Sequence, residues 1–157
     1  MDTVDPIRAR LAELLPELMG LLHCTIAGET LAIMHNANLT MPQVVSLHVL
    51  RHLGPLAISE LATHLRLSTS AASSLVDRLV ERELVDRTED PADRRQKRVA
   101  LAPAGVALVA DLTSARAREL TAGLQYIDPV LRSEMAGVLE QVVTQLRTQP
   151  FPLRSPS

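Results

Sequence analysis

Aromatic residues are almost absent from this sequence, which has one Tyr, one Phe and no Trp among 157 residues. A hydrophobic core must therefore consist of Leu, Val, Ala, Ile and Met, and that composition favours helices. The scarcity also argues against a surface for single-stranded RNA, because such surfaces stack bases on aromatic rings. The length suits one compact core. We expect a single, mainly α-helical domain.

The sequence is also poor in cysteine, and its first residues do not resemble a signal peptide. Cys24 is the single cysteine, which excludes an internal disulfide and favours an intracellular protein. The first ten residues carry acidic side chains where a signal peptide has basic ones. Leu18 to Leu50 contains one charged residue, Glu29, but polar residues interrupt the run. We therefore expect a cytoplasmic protein without a membrane partner.

Catalytic patterns are missing too. The sequence has no Gly-rich phosphate loop, no zinc-hydrolase spacing and no local nucleophile motif. It predicts neither an enzyme nor a protein with a cofactor or a metal.

Basic residues are slightly outnumbered by acidic ones overall, but several basic residues are concentrated in one place. The formal net charge is −2, which argues against a protein that coats nucleic acid without selectivity. Residues 90–105 read DPADRRQKRVALAPAG, and every position from Arg94 to Arg98 except Gln96 is basic. An anionic partner would meet the chain there, although such a charge run is also common on solvated surfaces.

Apolar spacings of three and four predict helices along most of the chain. The first extends from near residue 6 toward residue 36. The second follows a possible cap at Thr40 and ends at Gly54. The last two begin at Pro103 and Pro129, because proline suits the first turn of a helix.

Between these helices, the sequence predicts a helix-turn-helix followed by a hairpin. Ser59 can cap a short helix to Leu65, and Ser68 can cap a second one from Thr69 to about Arg82. Residues 84–89 and 96–101 are predicted strands, and the Asp-Pro-Ala-Asp sequence between them is typical of a turn.

A helix-turn-helix and a charged hairpin between long helices resemble the MarR family of transcriptional regulators. Residues 90–105 carry the most specific part, being similar to the family signature D-x-x-D-R-R-x-x-x-V-x-L-T-x-x-G. Residues 39–43, 58–62 and 75–87 match as well. The resemblance implies a homodimer that binds double-stranded DNA, most often as a repressor, and leaves a pseudo-palindromic operator when a small-molecule effector binds.

The fold class implied is mainly α with a small β-hairpin wing, a winged helix-turn-helix flanked by long dimerisation helices. A single domain would occupy residues 1–148, with dimerisation helices at 6–36 and 103–148 and the winged helix-turn-helix at 38–102. A disordered tail would follow at 149–157.

The sequence departs from the family pattern at two positions. Glu83 stands where the family has Gly after the second short helix; a left-handed cap would be strained there, so we expect a different cap. Ala102 replaces a Thr and removes an oxygen that could cap the following helix.

Residue chemistry and the resemblance together predict the DNA-contacting residues. Hydroxyl groups at the start of the second short helix can bond phosphates or base edges, and a hairpin-tip arginine can enter a minor groove. Serines also simply cap and solvate helices. The predicted set is Ser68, Thr69, Ser70, Ser73, Ser74, Arg78, Arg87, Asp93, Arg94, Arg95, Lys97 and Arg98.

Four residues are candidates for a ligand or a switch, namely His23, Cys24, His48 and His52. The two later histidines are spaced to share a metal on a helix, but no third ligand is near in sequence, and ordinary core or surface histidines are the alternative. Two other functions stay open. One is a redox-sensing regulator using Cys24, and the other is a helical dimerisation module whose winged helix binds protein.

Overall fold

The computed structural model describes residues 5–25, 28–89 and 97–148, with the side chains of residues 23–25 left out. The helices are α1 Pro6–Thr25, α2 Gly28–Asn36, α3 Met41–Leu53, α4 Ile58–Leu65, α5 Thr69–Val80, α6 Pro103–Leu124 and α7 Pro129–Thr148. The strands are β1 Leu56–Ala57, β2 Val85–Glu89 and β3 Lys97–Leu101. Within these ranges, none of the helices is long and apolar enough to cross a membrane.

The chain divides into two compact units. Among the described residues, the first unit, which we call the helical unit, comprises residues up to 31 and from 114 onward; the second, the winged unit, lies between residues 32 and 113. The division runs through α2 and α6.

The core of the winged unit is aliphatic, as the composition predicts. Leu47, Leu61, Val76 and Leu79 are fully buried there, and Val99 of the sheet packs into the same cluster. Each helix of the unit thus buries one apolar stripe, and the stripes together fix where α5 lies in this unit.

The sheet has three antiparallel strands in the order β1-β3-β2. The predicted hairpin is present, with Arg87 opposite Val99 in its register. Strand β1 was missed, because two residues are too few to show an alternating pattern. It adds to the free edge of β3, with Leu56 opposite Val99.

Three helices of the winged unit end in the same way, with a left-handed residue that closes a Schellman motif. The left-handed residues are Asn38 after α2, Arg66 after α4 and Glu83 after α5, with φ of 49°, 54° and 57°. After α5, the N–H of Glu83 donates to Val80 O at 2.8 Å, and the N–H of Leu84 donates to Leu79 O at 3.0 Å. The expectation that Glu83 changes the cap is therefore wrong; the cap forms around a glutamate.

Two other boundaries differ from the prediction. Ser59 lies inside α4, and the helix starts after Ala57, whose N–H donates to the Glu60 carboxylate at 2.8 Å. Helix α5 ends at Val80, because the turn to Glu83 begins before Arg82. Helices α1 and α2 both lie within the range predicted to be helical, and residues 26–27 between them lie outside the described residues.

Candidate nucleic-acid interface

The turn between α4 and α5 positions the start of α5. Arg66 adopts the left-handed conformation, and the N–H of Leu67 donates to Ala62 O at 3.0 Å. Ser68 then caps α5, its Oγ accepting from the N–H of Ala71 at 3.2 Å. The helix-turn-helix and the Ser68 cap predicted from sequence are both present.

One face of α5 is polar along its whole length. Ala72, Val76 and Leu79 are buried on one side. Most polar residues on the other faces are short hydroxyls; Thr69, Ser70 and Ser74 are exposed, and Ser73 is half-buried. Asp77 and Arg78 are exposed as well. Short hydroxyl groups let a helix approach another surface closely and can both donate and accept hydrogen bonds, which base edges and phosphates require.

Ser68 is already engaged in the structure. Its Oγ caps the helix and lies 3.0 Å from the Oγ of Ser70. A contact of Ser68 with another molecule would have to share an oxygen that already accepts from the backbone.

Arg87 connects the sheet to α5. Its Nη2 lies 2.9 Å from Oδ1 of Asp77, and its side chain is 23% exposed. Its Nε and Nη2 are buried and have no hydrogen-bond partner within the part of the chain that the structure describes. The Asp77 carboxylate therefore neutralises the charge without satisfying all of the donors.

The base of the hairpin carries two further predicted residues. Lys97 is exposed opposite Glu89 in the register of β2 and β3. Arg98 is half-buried, and its Nη2 donates to Pro55 O at 2.7 Å, which ties β3 to the segment before β1. The remaining predictions for the hairpin, Asp93, Arg94 and Arg95, lie outside the described residues.

Comparison with known proteins shows what the helix-turn-helix and the hairpin are similar to. Residues 39–97, from the start of the winged unit's second helix to the hairpin, match the model of the MarR family. Over these residues the chain is similar to proteins of the MarR family.

Two curated relatives are similar to about half of the chain. The chain is 38% identical over 84 residues to the uncharacterized HTH-type transcriptional regulator YsmB of Bacillus subtilis, covering 54% of this chain and 58% of that protein. It is 39% identical over 71 residues to the HTH-type transcriptional repressor NicR of Pseudomonas putida, covering 45% of each. The chain thus spans about half the length of the curated relatives it matches.

A solved structure matches over almost the whole chain. RV1404 from Mycobacterium tuberculosis is 29% identical and superposes with a TM-score of 0.67, covering 97% of this chain and 99% of that one. The long flanking helices are therefore part of the shared fold.

The candidate ligand residues fall in two elements. His48 is half-buried and His52 exposed on α3. Burial lowers the pKa of His48 below its usual value, and the neighbouring His52 lowers it further. The side chains of His23 and Cys24, in α1, lie outside the described residues. Among the side chains that are described, no three of His, Cys, Asp or Glu are grouped to hold a metal ion.

Sequence reasoning missed Glu119, a buried carboxylate of the helical unit. Its two oxygens accept from the N–H and the hydroxyl of Thr30, each at 2.8 Å, at the start of α2. Arg116 lies 3.6 Å away. Burial would raise the pKa of Glu119, but the hydrogen bonds from Thr30, together with one from the backbone of Glu29 and the charge of Arg116, outweigh it, and the pKa is lowered. Because residues 30 and 119 are far apart in the chain, no local pattern predicts this pair.

Arg82 was missed as well. Its Nη1 donates to Ala37 O at 3.0 Å and to Asn38 O. The sequence marks it only as one charge among several near the end of α5.

Proposed function

We propose that this chain is a homodimeric transcriptional regulator of the MarR family that binds double-stranded DNA and acts as a repressor. A small molecule releases it from a pseudo-palindromic operator. The observation that carries the proposal is the exposed hydroxyl face of α5, held by a helix-turn-helix and followed by a sheet whose hairpin carries a basic sequence. The family match over residues 39–97 and the HTH-type relatives support it.

Recognition of DNA follows from the two elements and their different chemistry. The hydroxyls of α5 suit a major groove, where donor and acceptor patterns differ between base pairs. The basic hairpin tip at residues 94–98 suits phosphates and a narrow minor groove, where negative potential is concentrated. We assign sequence preference to α5 and much of the salt-dependent affinity to the hairpin.

Dimer formation is supported by apolar surface on α1 and α7. In the single chain α7 has no buried residue, although it carries apolar side chains at helical spacing. The exposed apolar residues of α7 are Val130, Leu131, Val138, Leu139, Val142, Val143 and Leu146, and those of α1 include Ile7, Leu11, Leu14 and Leu15. An exposed apolar surface of this extent is typical of the interface in an obligate dimer.

The test is a selection of duplexes by the full-length protein from a random-sequence library, followed by salt titration of the affinity for the selected duplex. For Arg94→Ala we expect weaker binding to selected and scrambled duplexes alike, and a salt slope lower by about one unit of log K per log salt. Arg95→Ala and the double variant complete the series, because either arginine could enter the groove.

Ser73→Ala should instead change the preference among duplexes, since base edges are read in the major groove. The matched control is Ser59→Ala, an exposed serine of α4. A protein that selects no duplex refutes the proposal and favours a protein-binding winged helix. A folded double variant with the affinity and slope of the wild type means that the hairpin does not touch DNA.

A further inference from the structure

We infer that Arg82 is a positioning residue for DNA recognition. By joining the ends of α5 and α2, it fixes the orientation of α5 relative to the end of α2. This inference rests on the proposed function. It assigns a role to a residue outside the DNA-contacting set, through its contacts with Ala37 and Asn38.

The two helix ends that Arg82 joins are built alike. At the end of α2, the N–H of Asn38 donates to His35 O at 2.9 Å, and the N–H of Leu39 donates to Met34 O at 2.8 Å. The end of α5 has the same pair of bonds around Glu83 and Leu84. The apolar residues that flank the two left-handed positions are Met34, Leu39, Leu79 and Leu84, and all belong to the core cluster of the winged unit.

A Schellman motif still leaves carbonyls at a helix end without an intrahelical donor, and the helix dipole makes that end negative. The guanidinium of Arg82 supplies both a donor and a positive charge there. It serves the carbonyls of Ala37 and Asn38 while its own backbone lies in the turn that ends α5. One side chain therefore adds directional hydrogen bonds between two helix ends whose flanking apolar residues belong to one core cluster.

The angle of α5 matters because its candidate recognition residues lie toward the other end. A helix of 12 residues is about 18 Å long, so a rotation of about 10° at the Arg82 end moves the Ser68 end by about 3 Å. Hydrogen bonds to base edges do not survive such a shift, since their lengths vary by only about 0.5 Å. Phosphate contacts of mobile basic side chains do survive it.

Arg82 itself is poorly placed for a phosphate. It is half-buried, and its Nη1 is engaged with two backbone carbonyls. Loss of the Arg82 hydrogen bonds should therefore reduce the affinity for a specific DNA sequence. The affinity for unrelated duplexes and its salt slope should stay unchanged.

The experiment compares full-length Arg82→Gln, Arg82→Lys and Arg51→Gln on the selected duplex and on a scrambled duplex of the same length. Arg51 is exposed on α3 and outside the proposed interface, so Arg51→Gln removes the same charge from the same unit. Thermal unfolding first establishes that each variant is folded at the assay temperature, which removes loss of fold as a cause of weaker binding.

We expect Arg82→Gln to bind the selected duplex about tenfold more weakly than Arg51→Gln, with equal affinity for the scrambled duplex and equal salt slopes. Arg82→Lys keeps a charged donor on one nitrogen and should lose about threefold. If Arg82→Gln does not fold, the threefold loss in Arg82→Lys is the deciding result.

Equal affinities of the Arg82 variants and Arg51→Gln for the selected duplex would overturn the inference and leave the proposed function intact. A lower salt slope with parallel loss on both duplexes would overturn it too, because Arg82 would then be a phosphate contact. A wild-type protein that selects no duplex refutes the proposed function, and this inference with it.

Discussion

Gly105 shows how a single residue in the family signature is fixed by the backbone of a distant segment. A Cβ atom at this position would lie 2.0 Å from the carbonyl oxygen of Leu84. That oxygen also accepts from the N–H of Ala102 at 3.1 Å, so it cannot turn away without losing a hydrogen bond. The glycine is required for close approach, since its φ is not in the left-handed region.

Gly105→Ala should therefore destabilise the protein by about 3 kcal/mol, as overpacking against rigid backbone does. The measurement is the urea midpoint with its slope. Gly20→Ala is the control, because nothing lies within 4 Å of a Cβ there, and a helical alanine should add about 0.5–1 kcal/mol. Equal midpoints for Gly105→Ala and wild type would show that the start of α6 shifts freely.

Ala102 occupies the capping position that the sequence predicts for it. It precedes Pro103, the first residue of α6, and its carbonyl accepts from the N–H of Val106 at 2.9 Å. Its side chain is buried, with 5% exposed. Ala102→Ser should raise the free energy of unfolding by about 1 kcal/mol by supplying the missing oxygen. Ala102→Thr should gain less, because its extra methyl must fit a packed site. A lower midpoint for the serine variant would contradict the assignment of Ala102 as the cap.

At the scale of the elements, backbone strain is expected where helices end in a left-handed residue. The three Schellman caps described in the winged unit are formed by residues with a Cβ atom. Such residues cost about 1–2 kcal/mol more than glycine in the left-handed conformation. Glu83→Gly should relieve this strain at the end of α5 and stabilise the protein by about 0.5–1 kcal/mol after the entropy of glycine is subtracted.

Glu81→Gly is the matched control for Glu83→Gly. Glu81 has right-handed φ and ψ of −54° and −24°, so the same substitution should cost about 1 kcal/mol there. Chemical denaturation of both variants measures the difference. Equal effects at the two positions would mean that the left-handed cap carries no strain.

The start of α2 depends on the charge of Glu119. Its carboxylate accepts two hydrogen bonds from Thr30 at the positive end of the helix. Because its pKa is lowered from the usual 4.5, the stabilisation is present above that value and is lost as the pH falls through the lowered pKa. Glu119→Gln should cost about 1–2 kcal/mol at pH 7.

The pH dependence is the decisive part of the Glu119 prediction. The difference between wild type and Glu119→Gln should narrow steadily below pH 4.5, because the wild-type carboxylate then becomes neutral as well. Urea unfolding at a series of pH values measures it. A constant difference across the series would show that the charge of Glu119 is not involved.

At the scale of the whole molecule, the apolar surface of α7 makes the dimer testable. Val142 is exposed in the single chain, and a charge buried at an interface without a partner is strongly unfavourable. Val142→Glu should weaken the dimer at least about tenfold by sedimentation, as a loss of 1.4 kcal/mol would. Gln141→Glu, exposed on the same helix, should leave it unchanged. A full-length protein that is monomeric at micromolar concentration would refute the dimer.

Much of the fold follows from local sequence. The helices, the Ser68 cap, the turn after α4 and the two hairpin strands depend on residues within a few positions of one another, so apolar spacing and capping residues predict them. The polar face of α5 follows from the same spacing. Strand β1 escaped because it exists only by pairing with β3.

Only the tertiary structure decided which charged and small residues act together. Glu119 and Thr30 are 89 positions apart, and Arg82 and Ala37 are 45 apart; the approach of Leu84 to Gly105 likewise joins separate elements. Sequence determined the elements because their hydrogen bonds close over three or four residues. The structure decided these contacts because they form only after aliphatic stripes have packed, and packing is not directional enough to be read from residue type alone.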